Sequence, residues 1–303
     1  MTDLSVHIGG LRLANPVLTA SGTFGYGEEF KEFFDLNRLG GLITKTVTLE
    51  YRPGNPPPRI VETAAGMLNS IGLPNLGVDG FIREKWPFLQ TLTTPVIVNV
   101  AGKIGDDFVR VVERLESVSG ISAYELNFSC PNVKEGGLSF SANAATAHQV
   151  ALAVRRVTAR PLIVKLTPNV TSISEIGLAV QEAGADAVSA INTLVGMSVD
   201  IHTRRPRLAS VTGGLSGPAI KPVALAKVYE LVRSLRIPVI AIGGIFTAED
   251  ALEFLIVGAR AVQIGTASFV HPDAALQVIQ GLEKYCAEHN TSAADLCGTL
   301  ALR

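Results

Sequence analysis

The chain has 303 residues, 47% of them hydrophobic and only 17% charged, which is enough apolar material for one large core. A net charge of −1 without a long basic run leaves no electrostatic footprint for nucleic acid, and no apolar run reaches the roughly 18 residues of a membrane span. Three cysteines, Cys130, Cys286 and Cys297, include no C-x-x-C pair, which argues against a disulfide framework, a zinc site or a self-contained iron–sulfur cluster.

The first residues, Met-Thr-Asp-Leu-Ser-Val, lack the charged and apolar regions of a secretory signal, so a cytoplasmic location is expected. Beyond them a β-branched run, a polar residue or glycine and a helical stretch recur eight times. Strands are predicted at 16–20, 41–47, 95–100, 122–128, 161–166, 186–191, 237–242 and 261–264. Helices are predicted at 107–117, 142–159, 172–183, 219–235 and 248–257, from apolar residues at 3.6-residue spacing. Uninterrupted apolar strands suit a parallel sheet covered on both faces. Eight alternations predict a (β/α)8 TIM barrel, with residues 1–303 forming a single domain. An open doubly wound sheet is the alternative, disfavoured by the repeat number and the lack of a dinucleotide fingerprint. The proline-rich stretch 53–58 reads as a rigid surface excursion.

In a barrel the carboxyl ends of the strands form the mouth of the active site. Those ends carry Ser21, Lys45, Thr46, Asn99, Asn127, Lys165, Asn192, Thr193, Gly243, Gly244, Gly265 and Thr266. No Asp or Glu stands directly there, so the mouth is expected to favour an anionic, carbonyl-rich ligand over a carboxylate-bound metal ion. Gly243-Gly244 and Gly265-Thr266 follow the last two strands, where backbone N–H groups approach a phosphate in many barrels. Thr247-Ala-Glu-Asp250 resembles a capped helix start that would favour the same dianion, although a Gly-Gly pair alone also fits a tight turn. Lys45 and Lys165 read either as lysines reaching solvent or as two cations facing a ligand that gathers negative charge. A Schiff-base role for Lys165 stays open.

The segment Asn69-Ser-Ile-Gly-Leu-Pro-Asn75 offers two amides that could cover a flat heterocycle, or it is a connecting turn. Asn127-Phe-Ser-Cys130-Pro-Asn132 places a thiol in a turn after a strand, which suits an acid/base group or a nucleophile; a buried structural thiol is the other reading. Lys134-Glu-Gly-Gly137 could act as a flap over a ligand. Arg204, Arg205 and Arg207 read as a solvated loop, the five histidines show no ligand spacing, and Trp86 reads as helix packing.

Four segments together carry a resemblance: 69–75, 127–132, Ile191-Asn-Thr-Leu-Val-Gly-Met197 and Gly213-Gly-Leu-Ser-Gly-Pro-Ala219. They are similar to the class 1 dihydroorotate dehydrogenases through nearly the whole chain. Cys130 in place of serine separates the match from the membrane-associated class 2, and 133–137 with 192–197 resemble class 1B. The resemblance implies that FMN is held by Ser21, Lys45, Thr46, Asn99, Asn127, Lys165, Ile191, Gly217, Gly243, Gly244, Gly265 and Thr266. It implies substrate contacts at Lys45, Asn69, Ser70, Ile71, Gly72, Leu73, Asn127, Asn192 and Thr193. Cys130 would take a proton from carbon 5 of dihydroorotate while a hydride leaves carbon 6 for the flavin, with Lys165 stabilising charge on the reduced ring.

Without a G-x-G-x-x-G after a strand and with too few cysteines for a cluster, the chain is not equipped to handle NAD alone. Class 1B implies a partner subunit carrying FAD and a [2Fe-2S] cluster, in a heterotetramer of two copies of each chain. Ser141, where the family pattern leads one to expect glycine, is a departure that bears on the flap. Alternatives are a fumarate-reducing class 1A homodimer, a dihydropyrimidine dehydrogenase-like flavoenzyme, a flavin-free Schiff-base lyase using Lys165, and a catalytically silent ligand-binding subunit.

Overall fold

The computed structural model describes residues 3–128 and 143–302. Eight parallel strands form its centre: β1 (Val17–Thr19), β2 (Leu42–Ile43), β3 (Val96–Val100), β4 (Ala123–Asn127), β5 (Leu162–Lys165), β6 (Ala187–Ala190), β7 (Val239–Ile242) and β8 (Ala261–Ile264). They lie in the order β1-β8-β7-β6-β5-β4-β3-β2. The ring closes between β1 and β2 through a bridge from Leu18 to Gly41, with Gly40 N–H donating to the Val17 carbonyl at 2.9 Å. This is the expected (β/α)8 barrel. All strand residues are buried, as their continuous apolar sequence requires when helices cover the outside and side chains fill the inside.

The covering helices are α1 (Gly77–Glu84), α2 (Gly105–Glu116), α3 (Ala144–Arg155), α4 (Ile173–Glu182), α5 (Lys221–Ser234), α6 (Ala248–Val257) and α7 (Ala274–Glu288). Their starts are written in the sequence. Asn143 Oδ1 accepts from Thr146 N–H at 3.0 Å before α3, and Ser172 Oγ accepts from Glu175 N–H at 3.2 Å before α4. Edge-to-face packing of Phe108 on α2 against Phe128, which directly follows β4, ties that helix to the barrel.

Three expectations are corrected. The predicted strand 41–47 shrinks to Leu42–Ile43, because the Thr44 hydroxyl accepts from Asn99 N–H at 3.2 Å where the ladder would continue. The connection from β1 to β2 holds only two short 3₁₀ turns, Glu28–Phe30 and Leu36–Arg38, instead of an α-helix. The predicted helix 219–235 begins as a 3₁₀ turn at Pro218–Ile220 before α5.

An antiparallel sheet that local sequence did not predict sits on the barrel connections. Its strands run in the order Leu194–Met197, Thr212–Ser216, Gly66–Asn69, Ile60–Thr63. It has a small apolar cluster of its own, Val61, Leu68 and Leu208, separate from the barrel core. At the opposite end, a hairpin of Val6–Ile8 with Leu11–Leu13 packs against Asp186, just before β6. Among the described residues no helix is long and apolar enough to cross a membrane.

Candidate active site

Period-two alternation sends every second side chain of a strand into the barrel. Glu125 and Asn127 therefore share one face of β4, and pairing sets Asn99 beside Glu125, Lys165 beside Asn127, and Ser189 beside Lys165. The result is a connected polar floor. Thr46 Oγ1 donates to Asn99 Oδ1 at 2.6 Å, and Asn99 Nδ2 donates to Glu125 Oε1 at 2.6 Å. Ser189 Oγ and Gln263 Nε2 donate to the other carboxylate oxygen at 2.8 and 2.7 Å. Nearer the mouth, Lys165 Nζ donates to Ser21 Oγ at 3.3 Å, and Asn192 Nδ2 donates to Asn127 Oδ1 at 3.3 Å.

Lys165 is only 5% exposed, so the snorkelling reading fails for it. Burial pushes its ammonium below the ordinary lysine range, while the Glu125 carboxylate pulls it back up. Lys45 is half-buried and its titration is also lowered by burial, opposed by Glu29 and reinforced by Arg59. Two cations at one mouth favour an anionic ligand. The expectation that carboxylates are absent holds at the strand ends but not beneath them, where Glu125 is completely buried.

On the far side of the mouth the chain turns on glycine. Gly244 has φ 74°, and a Cβ there would lie 2.8 Å from the Lys221 backbone nitrogen. Gly217 has φ 101° and a Cβ would meet Gly66 Cα at 2.6 Å. A Cβ on Gly243 would lie 3.4 Å from Ile191, and Thr266 Oγ1 donates to Ser216 Oγ at 2.8 Å, so the ends of β6, β7, β8 and strand Thr212–Ser216 converge. Among the described residues no backbone carbonyl accepts from the amides of Gly244, Gly265 or Thr266. These N–H groups can face an oxyanion.

The helix start after Gly243-Gly244 does not add to that anion site. Thr247 Oγ1 accepts from Asp250 N–H, and Asp250 returns a carboxylate to the Phe246 and Thr247 N–H groups at 2.9 and 3.0 Å. The first turn of α6 thus already holds an anion, one that also pairs with Lys221 at 2.7 Å.

Over the mouth, the antiparallel sheet joins the two expected substrate segments. Asn69 pairs with Gly214, and a Cβ on Gly214 would collide with the Thr193 side chain, so Asn69 and Thr193 adjoin the same residue. Asn69 Nδ2 donates to the Gly214 carbonyl at 3.3 Å, and Asn169 Nδ2 donates to the Thr193 carbonyl at 3.0 Å. Ser70 is tethered through Asn55 and Ser210, Ile71 accepts from Asn55 N–H at 3.0 Å, and Gly72 and Leu73 turn with φ 79° and 54°. Of the two amides expected to cover a heterocycle, Asn75 is engaged inside the fold: it donates to Thr48 and Leu73 and accepts from Gly77 N–H.

The geometry is that of a cationic barrel mouth bordered by glycine turns and roofed by an antiparallel sheet. A family model described as dihydroorotate dehydrogenase matches residues 3–286. The chain belongs to the dihydroorotate dehydrogenase family. Relatives named as the catalytic subunit of dihydroorotate dehydrogenase B (NAD(+)) include one from Pelobacter propionicus, 52% identical over 299 residues and 98% of each chain. Another, from Trichlorobacter lovleyi, is 55% identical over 285 residues and 94% of each chain. A crystal structure of DHODH from Eimeria tenella, in complex with ferulenol, superposes with a TM-score of 0.80 at 24% identity, covering 98% of this chain and 88% of that one, and supports the fold alone.

Of the residues expected for a dihydroorotate dehydrogenase, Cys130, the flap 134–137 and Ser141 lie outside the described residues. Ser21, Thr46, Asn99, Asn127 and Lys165 stand together on the floor, and Ile191, Gly217, Gly243, Gly244, Gly265 and Thr266 form the glycine-rich side. Lys45 follows β2 at the same mouth. Reading only the strand ends missed Glu125, Ser189 and Gln263, one layer down. A charged residue inside the apolar run 122–128, two positions before Asn127, was the available signal.

Proposed function

We propose that this chain is the FMN-bearing catalytic subunit of an NAD-linked dihydroorotate dehydrogenase, a single barrel domain over residues 1–303. It oxidises (S)-dihydroorotate to orotate for pyrimidine synthesis in the cytoplasm. The observation that carries the reading is the buried Lys165, set on the barrel floor within 3.3 Å of Ser21 and facing the same mouth as the glycine turns. Those residues fit FMN. Among the described residues the N–H groups of Gly244, Gly265 and Thr266 donate to no backbone carbonyl and are available to a phosphate, and Lys165 brings a positive charge to a dry site.

FMN, when bound, supplies the acceptor for the hydride leaving carbon 6 of the substrate. Ser21, Thr46, Asn99 and Asn127 would orient the ring system, while Gly217, Gly243, Gly244, Gly265 and Thr266 would hold the phosphate. Ile191 packs beside the glycines. Lys165 concentrates positive charge where negative charge gathers, and preorganised charge of this kind is often the largest catalytic contribution. Lys45, residues 69–73, Asn127, Asn192 and Thr193 hold the substrate. Cys130 takes the proton from carbon 5. A partner subunit with FAD and a [2Fe-2S] cluster would supply the route for electrons to NAD, in a heterotetramer of two of each chain. The support is the designation of close relatives as catalytic subunits linked to NAD(+).

The test is anaerobic addition of dihydroorotate to the purified yellow chain. Bleaching of the flavin, with NAD reduced only when the partner is added, is the expected result. A colourless protein, or one trapped by borohydride with substrate, overturns it. Reoxidation by fumarate without a partner would assign the class 1A acceptor instead.

A further inference from the structure

Glu125 is the one fully buried carboxylate among the described residues. Stability alone does not ask for it: buried charge is costly to desolvate, and replacing buried ionic groups with apolar side chains of similar volume is often neutral or stabilising. Here three donors converge on it, Asn99 at 2.6 Å, Ser189 at 2.8 Å and Gln263 at 2.7 Å. Three strands besides β4 supply them, so the barrel is built around this anion. One side of the network leads to the mouth through Asn99 and Thr46. The other reaches Ser189, whose register partner is Lys165.

We propose that Glu125 is a positioning residue for the redox chemistry: its carboxylate fixes the Asn99 amide from below and acts as the counter-charge that keeps Lys165 an ammonium. The inference rests on the reading that Lys165 faces a flavin. Lys165 is met by Ser21 beyond β1, Asn127 on β4 and Ser189 on β6, none of them charged at neutral pH. Among the described residues Glu125 is the charged group that acts on it, raising a titration that burial lowers, while Lys45 answers to Glu29 and Arg59.

Glu125→Gln separates charge from packing. Its oxygen can keep accepting from Asn99, and its amide can donate to Gln263 Oε1, a buried atom without a partner in the wild-type network, once the Gln263 amide turns over. Ser189 can reverse its hydroxyl. The neutral variant is expected to fold and bind FMN, with Lys165 losing its proton earlier. The alkaline limb of flavin reduction by dihydroorotate should therefore move down by about one pH unit or more. The bend in the pH dependence of the flavin midpoint potential should move with it. Adding Gln263→Glu, which returns an anion to the network, should restore both.

A readout free of flavin and substrate is the pH dependence of apo-chain stability. Lys165 titrates below its unfolded value, so folding gains stability as pH rises through that window, and in Glu125→Gln the gain should begin at lower pH. Superimposable curves for variant and wild type, in stability and in potential, overturn the proposal. Should Glu125→Gln not fold, an infrared band of a protonated buried carboxyl in wild type at neutral pH overturns it, and a carboxylate there upholds it. Wild-type flavin that fails to bleach with dihydroorotate defeats the functional reading alone, because the apo-chain curves still report on the Glu125–Lys165 pair.

Discussion

Asn192 donates to Asn127 at 3.3 Å, joining the ends of β6 and β4 across the intervening β5, whose last residue is Lys165. A substrate carbonyl laid over this amide pair meets two side chains already held in register. Asn192→Ala should remove one donor and loosen the other, lowering kcat/KM for dihydroorotate by about tenfold, a loss of roughly 1.4 kcal/mol. Steady-state kinetics reads it; an unchanged kcat/KM would show that the pair faces no substrate.

Lys165→Met should keep FMN in place but slow flavin reduction by about a hundredfold to a thousandfold. The folded ammonium titrates below its unfolded value, so across that window the unfolded chain binds more protons and stability rises with pH. Wild-type stability minus that of the apo variant should therefore climb with pH. Denaturant titrations at several alkaline pH values measure the difference; a falling difference contradicts the sign.

The two glycine turns should respond differently to alanine. Gly244→Ala forces a Cβ to within 2.8 Å of a backbone nitrogen at φ 74°, so it should lower both the melting temperature and FMN affinity. At Gly265 a Cβ meets nothing closer than Ala20 at 3.5 Å. Gly265→Ala should melt like wild type yet bind FMN more weakly, a contrast that thermal melts and flavin fluorescence titration reveal.

Cys130→Ser should sharply slow the anaerobic reduction of the flavin while leaving FMN bound. Stopped-flow absorbance at neutral pH is the check, and a wild-type rate would remove Cys130 from the proton transfer.

Leu68 is 2% exposed and packs with Val61 and Leu208, apart from the barrel core. Leu68→Ala should cost about 2–5 kcal/mol locally. Hydrogen exchange should quicken at 60–69 and 212–216 and not in β3 or β4, and KM should rise. Uniform acceleration everywhere would mean that the roof and the barrel open as one unit.

Barrel strands were legible because a run buried on both faces is apolar throughout: 95–100 became Val96–Val100, and 261–264 matched Ala261–Ile264. The helix predicted at 172–183 was bounded nearly as found, since Ser172 announces its own capping role. Strand 41–47 failed where a threonine hydroxyl took over a backbone partner, a choice visible only once Asn99 is alongside. The roof strands carry Gly66, Gly196, Gly213 and Gly214, which locally signal turns; 60–63 and 66–69 form a local hairpin, but the partner that joins it to the sheet, Thr212–Ser216, lies far away in sequence. At the site, strand-end residues were readable because barrel topology gathers them. Glu125 was not, because its neighbours on three other strands exist only after closure.

The hydrogen bond from Asn69 to Gly214 joins positions 145 apart. Closing so long a loop is entropically costly unless the intervening strands have already shortened it, so this contact should form late in folding. A ribosome-bound fragment ending before Gly214 would hold the roof hairpin 60–69 without its central strand partner, and a barrel still missing β7 and β8. The glycine turns at 217, 243–244 and 265, and the two strands that close the barrel, also lie beyond that point, so floor and roof would both be finished only by the C-terminal part of the growing polypeptide.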